Sequence, residues 1–160
     1  MKRHRWVAGA AFLALAVTGF AEDAPPPFEG QVKSISSGDA ITLLANGRSV
    51  RVRLADVQCP RPHQPFFKFA KRHTYELIFG TPVRVEVVSV GKNGIVVGRI
   101  KTPRGHSLSE SLVKEGLAWW DRRGAPDDRR LEKLELKARK ARRGLWSSDN
   151  PTPPWEAMKK

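Results

Sequence analysis

At 160 residues with a formal charge of +13, the chain has room for one folded domain and carries a strong excess of cations. The single cysteine, Cys59, excludes an intramolecular disulfide, and Cys59 with His63 offers one ligand pair with no second pair to complete a zinc site. The charge favours a polyanionic partner such as nucleic acid, anionic lipid or acidic polysaccharide, although a solvated basic surface has the same composition.

Lys2, Arg3 and Arg5 precede an apolar run from Trp6 to Phe20, and Ala21 offers a small residue for cleavage. That run is 15 residues, short of the about 20 that span a bilayer. Residues 1–21 therefore read as a cleaved signal peptide, with no retained membrane span and a secreted or periplasmic destination. Removing its three cations leaves +10. Residues 22–29, with Pro25-Pro26-Pro27, form a stiff linker. A folded domain over 30–146 and an extended tail over 147–160, pinned by Trp155, complete the organisation.

Within the domain, Gly30 to Ile35 and Ala40 to Leu44 alternate as strands around a Ser37-Gly38-Asp39 turn. Asn46-Gly47 is a hairpin signal leading into Ser49 to Leu54, which places Arg51 and Arg53 on the face opposite Val50, Val52 and Leu54. Prolines make 59–65 a loop. Phe66 to Phe79 predicts a helix with Phe66, Phe69 or Ala70, His73 or Thr74, and Leu77 on one stripe, stopped by Gly80 and Pro82. Val83 to Val90 and Ile95 to Lys101 are two more strands. Ser107 to Glu110 fits a capping box opening a short helix. Asp127 and Asp128 open the last helix, whose buried stripe is Leu131, Leu134, Ala138, Ala141 and Leu145. Five strands and three helices suit an α+β fold, a small OB-like barrel with helical flanks.

Several motifs in order narrow that choice. They are Ser37-Gly38-Asp39-Ala40-Ile41, Val52-Arg53-Leu54 through Cys59-Pro60-Arg61, Gln64-Pro65-Phe66 with Ala70, Lys92-Asn93-Gly94-Ile95, Leu112-Val113 through Gly116-Leu117-Ala118-Trp119, and Gly144-Leu145-Trp146. Together they resemble the staphylococcal nuclease (thermonuclease) family across nearly the whole chain after the leader. The resemblance implies a five-stranded OB barrel with three flanking helices. It also implies Ca²⁺-dependent phosphodiester hydrolysis, with two Asp on the metal, a Glu beside the water and two Arg on the phosphate.

Carried over position by position, the resemblance keeps Asp39 as the first metal ligand and Arg53 as the first phosphate arginine. The second metal Asp is replaced by Gln58, the Glu by Arg61 and the second Arg by Ile95, unless Arg99 reaches the cleft instead. Asp121 and Gly124 stand where relatives carry tyrosines, so a base-stacking platform is expected to be missing unless Trp119 or Trp120 supplies it. These changes make the metal pocket about three charges more positive. An arginine ~5 Å from the ion costs on the order of 3 kcal/mol for each unit of the ion's charge at an effective dielectric of 20.

Two uses of the cleft stay open at this level. The leading one is an inactive or strongly impaired nuclease homologue that binds nucleic acid, another polyanion or an envelope protein, with no cofactor beyond weak residual Ca²⁺ through Gln58. The alternative is an active Ca²⁺-dependent phosphodiesterase acting on DNA and RNA. Arg61 either pairs with Asp39 in place of the ion or points into solvent. Arg53 and Arg61, with Lys133, Lys137 and Lys140 at helical spacing, are the candidate anion-binding residues.

Overall fold

The computed structural model describes residues 25–157. The expected leader (1–21), the start of the linker and the last three residues lie outside that range. Five strands close a barrel: β1 (Phe28–Ser37), β2 (Ala40–Ala45), β3 (Arg48–Leu54), β5 (Pro82–Val90) and β6 (Val96–Lys101), in the order β1-β2-β3-β6-β5. Each contact is antiparallel except β3 with β6. Two short strands, β4 (Val57–Gln58) and β7 (Trp119–Trp120), form a separate ribbon. Together with the helices described next, this is the OB-like α+β architecture that the sequence predicts.

Strand alternation behaves as the sequence requires. Ile41, Leu43, Val52 and Leu54 point into the barrel, and Arg51 and Arg53 point out. Asn46 and Gly47 both adopt positive φ (49° and 73°), the geometry a two-residue hairpin needs. The core continues from the barrel into α1 (Phe67–Ile78), α2 (Leu108–Lys114) and α3 (Arg129–Lys140) through Ile78, Leu108, Leu112 and Leu131. Ser107 caps α2 by accepting from the Glu110 N–H, and Asp128 caps α3 by accepting from Arg130 and Leu131 N–H.

Four expectations are corrected. First, β1 starts at Phe28, taking the end of the linker into the barrel, where Phe28 pairs with Val85. Second, the buried stripe of α1 is Ala70, Thr74 and Ile78, while Phe69 and Leu77 are exposed. The reason is space: the helix lies so close to the β1–β2 turn that a Cβ on Gly38 would sit 2.9 Å from Ala70 Cβ and 2.6 Å from Cys59 Sγ, so only small side chains fit. Third, α3 ends at Lys140 with Ala141 exposed at its C-cap, and Leu145 is buried from a 3₁₀ turn (Gly144–Ser147). Fourth, the tail is not wholly extended. Pro154–Ala157 forms a one-turn helix, α4, with Pro154 at a position where its missing N–H costs nothing.

Candidate functional site

The turn between β1 and β2 is held from below by α1. Thr74 Oγ1 donates to the Gly38 carbonyl at 2.7 Å, and Ala70 fills the space beneath the glycine. This fixes Asp39 with its carboxylate turned inward and only 2% exposed. A buried charge requires full compensation, and Asp39 has it. Its Oδ1 accepts from Ser37 Oγ at 2.6 Å and from Arg61 Nη1 at 3.2 Å. Its Oδ2 accepts from the Cys59 N–H at 3.2 Å and lies 3.2 Å from Arg61 Nη2. The guanidinium therefore grips the carboxylate with both terminal nitrogens, the strongest geometry such a pair adopts. Of the two placements open for Arg61, the structure has the paired one.

The loop carrying Arg61 is built to keep it there. The Arg61 N–H donates to Gln64 Oε1 at 2.7 Å, and Gln64 Nε2 donates to the Thr152 carbonyl at 3.1 Å, tying the loop to the C-terminal segment. His63 (φ 73°) and Phe66 (φ 65°) are left-handed without being glycine. Each such residue costs about 1–2 kcal/mol, so the surrounding contacts impose this path. Cys59, in the same loop, is fully buried, and burial raises its thiol pKa well above the ordinary value; the neighbouring Asp39 charge raises it further. It is a packing residue.

Gln58 does not face Asp39 with a free amide. Its Nε2 donates to Asp121 Oδ2 at 2.6 Å, across the ribbon in which Gln58 pairs with Trp119. Burial pushes the Asp121 carboxyl up, but donors from Arg123 and Gln58 outweigh that and hold it below its ordinary value. Arg53 is exposed on β3 and pairs in register with Ala40, next to Asp39. Among the described residues it has no ion-pair partner. Ile95, half-buried, precedes Val96, which pairs with Val52, so it borders the same outer face as Arg53 with an apolar side chain. Arg99 is not its substitute. Its Nε donates to Asp56 Oδ2 at 3.0 Å, in a small cavity of about 140 Å³ shared with Glu86, Glu110 and Asp128.

The remaining candidates lie elsewhere. Lys133, Lys137 and Lys140 are exposed on α3, which packs on α2, β7 and the 3₁₀ turn rather than on the β2–β3 edge. Arg53 and Arg61 lie instead on β3 and on the loop before α1. Trp119 and Trp120 are both buried. Trp119 packs edge-on against Trp146 (6.2 Å) and Trp155 (6.4 Å), and Trp120 Nε1 donates to the Ala125 carbonyl. Neither offers a free ring face at the cleft. Sequence reasoning missed Ser37, Thr74 and Gln64 as the residues that position Asp39 and Arg61. A hydroxyl before a turn glycine was the signal available for Ser37.

The closed barrel and its helices agree with the comparisons to known proteins. The family model described as "Staphylococcal nuclease homologue" matches residues 51–148, and the chain belongs to that family. The "Micrococcal nuclease" of Shigella flexneri is 35% identical over 161 residues, covering 95% of this chain and 90% of that protein. "Protein ParB" of Escherichia coli is 31% identical over 165 residues, covering 98% and 93%. The "Staphylococcal-like nuclease CAN1" of Arabidopsis thaliana is 31% identical over 146 residues, covering 79% of this chain and 43% of that protein.

Proposed function

We propose that this chain is an exported family member whose cleft binds nucleic-acid phosphate through arginine, without Ca²⁺, and hydrolyses it several orders of magnitude more slowly than an intact family site. The observation that carries the reading is the two-nitrogen grip of Arg61 on Asp39. Ca²⁺ takes about six to eight oxygen ligands, whereas here both oxygens of the single retained carboxylate are committed to N–H and O–H donors. Among the described residues, no three His, Cys, Asp or Glu side chains gather as a metal site would require. The donor set does not fit the ion, and no step is routed through it.

What the site offers instead is cationic. Arg53 stands exposed beside the Asp39–Arg61 pair, so the three groups sum to one positive charge at the barrel edge. The chemistry of cleavage lacks its parts. A missing positioned base removes roughly 10²–10⁴ in rate, and a missing electrostatic clamp a further ~10²–10³. Among the described residues no helix is long and apolar enough to cross a membrane. A mature N-terminus at Glu22, read by mass spectrometry of the secreted or periplasmic protein, tests the export part.

The binding part is tested by fluorescence anisotropy with a labelled oligonucleotide, with and without EDTA. Binding that ignores EDTA, weakens linearly in log salt and drops in Arg53→Ala supports the reading. Absence of binding at low salt overturns it in favour of a protein partner. The second reading, an active Ca²⁺-dependent phosphodiesterase, draws on the retained Asp39 and Arg53 and on relatives named as nucleases. It requires Arg61 to swing off Asp39 when the ion binds.

A further inference from the structure

The exposed face of α1 carries rings and cations that neither the fold nor the cleft uses. Phe69 is 53% exposed, Tyr75 51% and the C-cap residue Phe79 41%. Tyr75 and Phe79 stack on each other with ring centroids 4.2 Å apart and 17° between planes, and the Arg72 guanidinium lies 5.4 Å from the centre of the Phe69 ring. Lys68 is exposed beside them with no ion-pair partner among the described residues, and Arg72 reaches only the exposed Glu76 at 3.6 Å.

The order of these residues around the helix decides what they fit. With about 3.6 residues per turn, Tyr75, Lys68, Phe79 and Arg72 follow one another within roughly 60° of arc. Along the helix, with Phe69 beside this arc, the order is Lys68, Phe69, Arg72, Tyr75 and Phe79, so rings and cations are interleaved. An interfacial membrane helix separates them, presenting an apolar face to the acyl chains and cations to the other side. The apolar face of α1, with Ala70, Thr74 and Ile78, is already spent on the core. Interleaving suits a ligand that alternates flat apolar units with negative charges, as a single nucleic-acid strand does.

The face begins beside the loop that carries Arg61. A groove of about 460 Å³ runs between the loop that carries Arg61 and the first turn of α1, bounded by His63, Gln64, Phe66 and Phe69. We propose that the outer face of α1 is a track for single-stranded nucleic acid leading away from the Asp39–Arg61 cleft. Bases stack on Phe69 and on the Tyr75–Phe79 pair, and phosphates meet Lys68 and Arg72. This rests on nucleic acid being the partner, as proposed above, but on different residues.

The test is anisotropy of a labelled oligothymidylate with the full-length chain. Phe69→Leu, Tyr75→Leu and Phe79→Leu together keep apolar surface and remove the π faces; the account expects roughly tenfold weaker binding for each base that loses its platform, with an unchanged salt slope because no charge is lost. Lys68→Ala with Arg72→Ala should lower the slope of log K against log salt by about 1.4 for two phosphate contacts on a single strand. Wild-type affinity in the leucine variant overturns the track, even where Arg53→Ala shows that the cleft binds. Loss in the leucine variant with no effect of Arg53→Ala keeps the track and overturns the cleft. Loss of binding to vesicles of anionic lipid, with oligothymidylate binding intact, assigns the face to a membrane and overturns the proposal.

Discussion

Among the described residues two aspartates are buried, each paired with an arginine, and they are built to opposite standards. Asp39 is 2% exposed and all its capacity is used: a hydroxyl, a backbone N–H and two guanidinium nitrogens converge on it. Asp56 is 4% exposed, yet its Oδ2 has the Arg99 Nε and its Oδ1 has no partner. Burial raises the Asp56 pKa, and the Arg99 charge and hydrogen bond only partly offset this. A carboxylate retained for bare packing resembles Asp56. One surrounded by four matched donors has been given a counter-cation, and at Asp39 that cation is Arg61.

The largest effect that sharpens this contrast is chemical. Under the proposed reading, Gln58→Asp, Arg61→Glu and Ile95→Arg together would restore a metal ligand, a base and a second phosphate arginine beside Asp39. Ca²⁺-dependent cleavage of plasmid DNA should rise by at least the ~10²–10⁴ that a positioned base contributes. A triple variant that stays silent would show the cleft to be altered beyond these positions.

A single type of substitution then separates the two aspartates by sign. Asp39→Asn turns an amide donor toward donors and leaves the Arg61 charge unanswered, and should lower unfolding stability by about 2–4 kcal/mol in urea titrations. Asp56→Asn removes a charge that burial disfavours, and should raise stability at pH 7 by up to about 1 kcal/mol. Equal losses at both sites would erase the comparison.

The pH dependence follows from the same residue. Because the folded pKa of Asp56 lies above its unfolded value, the folded state binds the proton more readily. Its penalty is fully present above the folded pKa and disappears as pH falls through that value toward the ordinary value of 3.8. The advantage of Asp56→Asn over wild type should therefore shrink in that acid window, measured as the difference between their urea midpoints. The smallest effect belongs to α3. Lys133→Ala, Lys137→Ala and Lys140→Ala, lying away from the cleft, should alter stability by no more than about 0.5 kcal/mol and leave the EDTA-insensitive binding in place.

Much of this was legible in the sequence because it is local. Alternation in Ser49 to Leu54 predicts which face Arg53 takes, and Asn46-Gly47 fixes the hairpin. The substitutions at Gln58, Arg61 and Ile95 are read by position alone. What the sequence does not carry is long-range fit. The choice of Ala70 over Phe69 for the buried side of α1 depends on how closely the Gly38 turn approaches that helix. The aromatic face therefore emerges only once the turn and helix are seen together. Gln64 acquires its role from a carbonyl 88 residues away, and Arg99 is removed from the cleft by Asp56, 43 residues distant. Neither separation leaves a periodic signal.

The central claim is that Arg61 stands where the family's ion would be, and digestion of single-stranded and plasmid DNA by the pure protein in Ca²⁺ or EDTA tests it most directly. The account predicts equal, negligible cleavage in both, with the DNA still bound. Rapid cleavage in Ca²⁺ that is abolished by EDTA and by Asp39→Ala would contradict it.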